Sequence, residues 1–271
     1  MTQDIHSISD GWDFSPDEVR ARFISALDGS TKVQLRLDLG ILQMEPDGRP
    51  DGTRPRGHRS LLDYFLAKER RCPGGVYNEK LDAEACSELQ QECTQYYYRI
   101  LAFSALSEWD RLQEDTEHNL ELIDFAAEYA EDDETAWQFS QLFPYLTMMN
   151  ARAKAEIEMA AGHFARALDI AHEAEKEIAE FFKENYDAEN EDGSPVPTPS
   201  ELVSIRELAE QVEDRRPRSP DEDLREKLAN AIASENYELA AALRDQLKRI
   251  HSPLPSRPAP KKHPRPGPSA E

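Results

Sequence analysis

Residues 224–250 read LREKLANAIASENYELAAALRDQLKRI. Leu224, Leu228, Ala231 and Ile232 recur at steps that place them on one face of a helix. Ser234–Asn236 is a tight break. Tyr237, Ala240, Leu243, Leu247 and Ile250 then fall at three- and four-residue steps, the spacing of a second helix seam. Ala240, Ala241 and Ala242 keep that helix slim enough for another backbone to approach. Ser219 is a candidate N-cap, Pro220 suits the first turn, and Glu222 completes a capping box. The stretch therefore predicts an antiparallel helical hairpin over residues 219–252.

So small a hairpin buries little apolar surface against the entropy of ordering it. Pieces shorter than about 40 residues usually need a metal, disulfides or a partner. This one has no Cys and only His251 at its edge, so its apolar seam predicts pairing with another surface. Leu228, Ala231, Glu235, Tyr237, Glu238, Ala240–Ala241 and Leu243–Arg244–Asp245, followed by Leu247 and Ile250, resemble the UVR motif. That motif is shared by the UvrB and UvrC excision-repair proteins and by McsA-type partners of the ClpC chaperone. The resemblance covers about a tenth of the chain. It implies a hairpin that binds another hairpin, on a partner or on a second copy. The contact residues expected are Leu224, Leu228, Ile232, Tyr237, Ala240, Leu243, Arg244, Leu247 and Ile250. Tyr237 and Leu243 serve as anchors, while Arg244 and Asp245 pair with Glu238, Lys248 or residues across the interface.

The whole chain has 271 residues, with 54 Asp plus Glu against 32 Lys plus Arg, for a net charge of −22. Such a surface is soluble and repels phosphate backbones, which disfavours direct nucleic-acid binding. Cys72, Cys86 and Cys93 are an odd number without metal spacing. Cys86 and Cys93 lie seven apart and are expected on one buried helix face; no disulfide framework is expected. No signal-like or membrane-spanning apolar run is visible, so a cytoplasmic protein is expected.

Ser15–Glu18 repeats the letters SPDE found at Ser219–Glu222. A helix is expected after it, with Val19, Phe23, Ile24 and Leu27 on one face, behind a loose lead-in at 1–11. Lys32–Met44 predicts a half-buried strand, because Val33, Leu35, Leu37 and Leu39 alternate with polar residues. A phase shift after Gly40 suggests a bulge or bend. EPDGRPDGTRPRG (45–57) reads as an exposed loop. Leu61, Leu62, Phe65 and Leu66 then form a helical face, ended by Cys72–Gly75. Two long helices are expected over Glu79–Ala130, a third at about Thr135–Ala161 and a fourth at Phe164–Tyr186.

An internal similarity links these helices. Ser107-Glu-Trp109 lines up with Gly162-His-Phe164, 55 residues later. Gly162, Phe164, Ala167 and Ala174 resemble the second helix of the tetratricopeptide repeat (TPR). The step exceeds the usual 34, so a degenerate helix-pair stack is implied. The expected organisation is thus a mainly α chain. A small N-terminal α/β unit (1–75) precedes a TPR-like helical body (76–187) and a linker with a short helix (188–218). The hairpin (219–252) and a Pro-rich basic tail (253–271) complete it.

Chemistry is harder to find. No phosphate loop, nucleophile elbow or HExxH occurs, and the seven His residues are scattered. No metal or cofactor is expected. Asp132–Asp133–Glu134 reads as a solvated helix junction. Tyr96, Tyr97, Tyr98, Phe103 and Trp109 read as core, with a peptide groove as the alternative use of whichever tyrosines face out. The leading expectation is a non-enzymatic adaptor acting through the hairpin. The alternatives are an accessory factor of nucleotide excision repair or of a Clp-type protease, and a ligand-binding or enzymatic N-terminal unit using Asp38, Arg49, Asp51, Arg54 and His58. Missing Cys-rich zinc modules set the chain apart from a true McsA, and missing nuclease and helicase motifs from UvrC and UvrB.

Overall fold

A computed structural model describes residues 6–72, 79–187, 196–218 and 220–251. The expected Ser219 cap, the 253–271 tail and most of the 188–200 linker lie outside the described residues, as do Pro73–Gly75. The chain is mainly α and divides into two compact units, residues 1–215 and 216–271.

The first unit opens with a four-residue helix, α1 (His6–Ser9), and three strands: β1 (Ala21–Ser25), β2 (Thr31–Arg36) and β3 (Ile41–Met44). They form an antiparallel sheet in the order β1-β2-β3, with Phe23 opposite Val33 and Leu35 opposite Leu42. This corrects two expectations. The helix anticipated at Val19–Leu27 is strand β1, because Ala21 and Phe23 share the face of Val33 and Leu35 and the Asp28–Gly29 turn returns the chain antiparallel. The SPDE of Ser15–Glu18 caps nothing and forms a tight bridge between its two ends. The phase shift after Gly40 is a second hairpin turn: Leu37 N–H donates to Gly40 O at 2.9 Å, and β3 begins there. Ile8 and Trp12 are held against the sheet as well. Arg22 stacks over the Trp12 ring at 4.0 Å and donates to Ile8 O, and Arg36 Nε donates to Trp12 O.

Residues 45–57 are pinned down along part of their length. Glu45 N–H donates to Pro50 O, and Arg49 is largely buried. Next come α2 (Leu61–Glu69), α3 (Ala83–Leu106) and α4 (Trp109–Tyr129). Ser60 and Asp82 accept the N-terminal amides of α2 and α3. Cys86 and Cys93 are both buried on α3, on the expected common face, and all three cysteines are free thiols.

The single helix expected at Thr135–Ala161 is two, α5 (Asp133–Ser140) and α6 (Phe143–Ala160). Pro144 explains the split, since its ring clashes with the carbonyl four residues back and it has no N–H to donate. It is tolerated in the first turn of α6. Helix α7 (Phe164–Asn185) packs on α6, and α8 (Ser200–Arg215) packs on both. Leu202, Ile205, Leu208 and Val212 of α8 are buried against Ala155, Ala171, Ala174 and Ile178. The short helix expected inside a linker is therefore a packed element of this unit.

The turn similarity noted in the sequence has a structural basis. Helices α3 and α6 end in a left-handed residue, Ser107 (φ 57°) and Gly162 (φ 82°). The following amide reaches back to the carbonyl five residues earlier, Glu108 to Phe103 and His163 to Glu158. This is the Schellman closure. An aromatic residue, Trp109 or Phe164, then opens the next helix.

Candidate protein-binding hairpin

The second unit contains α9 (Pro220–Ala233) and α10 (Tyr237–His251), packed against each other. Their turn repeats the one just described. Glu235 is left-handed (φ 56°), Asn236 N–H donates to Ala231 O at 2.8 Å, and Tyr237 opens α10. Asn236 adds a cap, its Oδ1 accepting from Leu239 N–H at 3.2 Å. The first turn of α9 carries Asp221, Glu222 and Asp223, the sign that the N-terminal end of the helix dipole favours. Arg225 pairs with Asp221 at 2.8 Å, Arg216 pairs with Glu222 at 2.8 Å, and Arg218 pairs with Glu226.

The apolar side chains split into two sets. Ala231, Ala240 and Leu243 are buried, with Leu224 and Leu228 packed against them, and Leu247 is half-buried. Of the nine residues singled out as contacts, Leu224, Leu228, Ala240 and Leu243 thus form the seam between the hairpin's own two helices. Ile232 is 54% exposed and Tyr237 69% exposed. Arg244 is exposed, with Nη2 3.5 Å from Asp245 Oδ1. Ile250 lies on α10, its side chain outside the described residues. Leu239, 48% exposed, escaped the sequence reading. Its signal was available: it is an apolar residue off the seam phase set by Tyr237, Ala240 and Leu243.

A family model described as UvrB/uvrC motif matches residues 222–252. Those residues are a UVR motif. The UVR match covers the hairpin and leaves the first unit outside it. Neither the curated proteins nor the solved structures contain a match to the chain.

The other candidate residues are only partly brought together. Arg49 Nη1 lies 3.2 Å from Asp51 Oδ2 and donates to Thr53 Oγ1 at 2.7 Å, while Asp51 also accepts from Gln95 on α3. The His58 ring meets Tyr64 edge-on at 5.5 Å, and Asp38 accepts from the Leu39 amide in the β2–β3 turn. Arg54 lines a polar cleft with Arg59, Arg99, Arg111 and His118. Arg49 and Asp51 hold the 45–57 loop on α3. Among the described residues no group of three His, Cys, Asp or Glu side chains is placed to hold a metal ion, and no helix is long and apolar enough to cross a membrane.

Proposed function

We propose that the chain is a non-enzymatic cytoplasmic adaptor whose UVR hairpin docks on a matching helical hairpin, in a partner or in a second copy. The observation that carries this reading is the coincidence of the UVR match, residues 222–252, with a unit whose own core, among the described residues, is three buried residues. So few buried contacts leave the unit marginal by itself. Ile232, Tyr237 and Leu239 supply exposed apolar area beside the turn, and an exposed aromatic is the residue type that dominates small interfaces. In this reading the seam residues hold the hairpin's shape and the exposed three make first contact. The first unit then acts as a TPR-like scaffold, supported by the repeated Schellman turns at Ser107 and Gly162.

The UVR match also favours a second reading within the same class, an accessory factor of excision repair or of a Clp-type stress protease. It rests on family analogy, and the two pathways separate by whether UvrB- or UvrC-like proteins or a ClpC-like chaperone co-purify.

Light scattering and affinity purification of the full chain, of a chain ending at Arg216 and of Tyr237→Asp test the proposal. Self-association or recovery of a hairpin-bearing partner is expected for the full chain and lost in both variants. Identical behaviour of all three would overturn it.

A further inference from the structure

A pocket of about 440 Å³ opens between α3, α4 and the α5–α6 junction. Its size falls within the ~300–1,000 Å³ range of small-molecule sites. Charged residues make up 32% of the chain, yet none of them lines this pocket. The rings of Tyr97 and Tyr145 stand 5.5 Å apart on its wall, and Phe139 and Leu146 are buried beneath. The Cys93 thiol, also lining it, is pushed up to about 12 by burial and by the nearby Glu92 charge, so it stays neutral.

One polar group in the lining has no partner. Asn119 has no solvent exposure. Its Nδ2 donates to Cys93 O at 3.0 Å, while Oδ1 has no hydrogen-bond partner among the described residues. A buried acceptor left without a donor is costly, and a ligand bringing an N–H or O–H would relieve that cost. An ion entering this lining would lose its hydration with no opposite charge to meet it. We propose that the first unit binds a neutral, mainly apolar small molecule here, packed against the Tyr97 and Tyr145 rings with one hydrogen-bond donor on Asn119 Oδ1. This goes beyond the adaptor role, because it gives the scaffold a ligand of its own.

Indole and benzofuran are suitable probes, nearly identical in shape, with only indole carrying a donor. Isothermal titration of the full chain is expected to show saturable indole binding at least about tenfold tighter than benzofuran, equivalent to about 1.4 kcal/mol. Leu142, half-exposed at the mouth, provides the control. Leu142→Trp is expected to abolish indole binding with the helical circular dichroism unchanged. Absence of saturable binding by either probe would overturn the proposal. So would equal affinity of the pair, which would leave Asn119 to water, or indole binding unaffected by Leu142→Trp. Removing residues 217–271 is expected to leave the titration unchanged, which separates this outcome from that of the hairpin.

Discussion

Glu92 has no solvent exposure, yet its carboxylate ties three other segments to α3. It accepts from the first amides of α2, Leu61 N–H at 2.7 Å and Leu62 N–H at 3.1 Å, where the helix dipole favours an anion. Arg49 Nε from the 45–57 loop lies 3.1 Å from Oε2, a charge contact without hydrogen-bond alignment. His118 Nε2 on α4 lies 3.4 Å from Oε1, and its ring stacks on Tyr96. Burial pushes the Glu92 carboxyl up, but His118 and the two α2 amides outweigh it and hold it below the usual carboxylate value. A depressed folded pKa means that Glu92 contributes stability above its unfolded value of about 4.3 and loses it as the pH falls through the lower folded value. Glu92→Gln turns an amide towards donors that need an acceptor and strips Arg49 of its buried counter-charge. It is expected to cost about 3 kcal/mol in urea unfolding at pH 7. The gap between variant and wild type narrows as the pH falls below the unfolded value of about 4.3 and on through the lower folded value; a gap independent of pH would show that the charge does not matter. The sequence held a trace of this site. Glu92 falls on the apolar face of α3 with Leu89, Cys93 and Tyr96, and a carboxylate there needs partners.

Element by element, the sequence is legible where periodicity is long and regular. The positions of α3, α4 and α7, and the α9–α10 hairpin with its break, follow from apolar steps sustained over several turns. Strand β1 reads as a helix in the sequence because five residues fit a helical face as well as an extended one, and its choice is made by pairing with β2, a non-local contact. The hairpin's inner and outer sets were only half separable, since Tyr237 and Ile232 lie at the edge of the seam and a few tens of degrees of helix rotation decide which way each faces. Helix α8 reads as a short helix inside a linker because prolines and acidic residues flank it, yet its four apolar residues cover small side chains on α6 and α7. Leu208 on α8 is buried and Val203 on the same helix is 43% exposed. Leu208→Ala is expected to destabilise the first unit by about 2–5 kcal/mol. Val203→Ala should change it by less than about 0.5 kcal/mol. Equal, small effects in chemical denaturation would mean that α8 is a passenger.

On the scale of the whole molecule, charge governs what the hairpin can meet. Each copy carries −22, with Lys and Arg outnumbered 54 to 32. Two copies docking through Ile232, Tyr237 and Leu239 bring like charges together, at a cost that falls as salt shortens the Debye length from about 30 Å at 0.01 M to about 8 Å at 0.15 M. The apolar contact itself is little weakened by salt. Self-association of the full chain is therefore expected to strengthen as NaCl rises from about 0.05 to 0.5 M, read as a shift of the sedimentation velocity peak towards dimer. A basic partner hairpin would show the opposite slope, weakening over the same range. The sign of the salt dependence thus decides whether the UVR hairpin is built for its own copy or for a complementary chain. Self-association that weakened with salt would relocate the interface to charge pairs such as Arg244 with Glu238 across copies, and the three exposed apolar residues would lose their role.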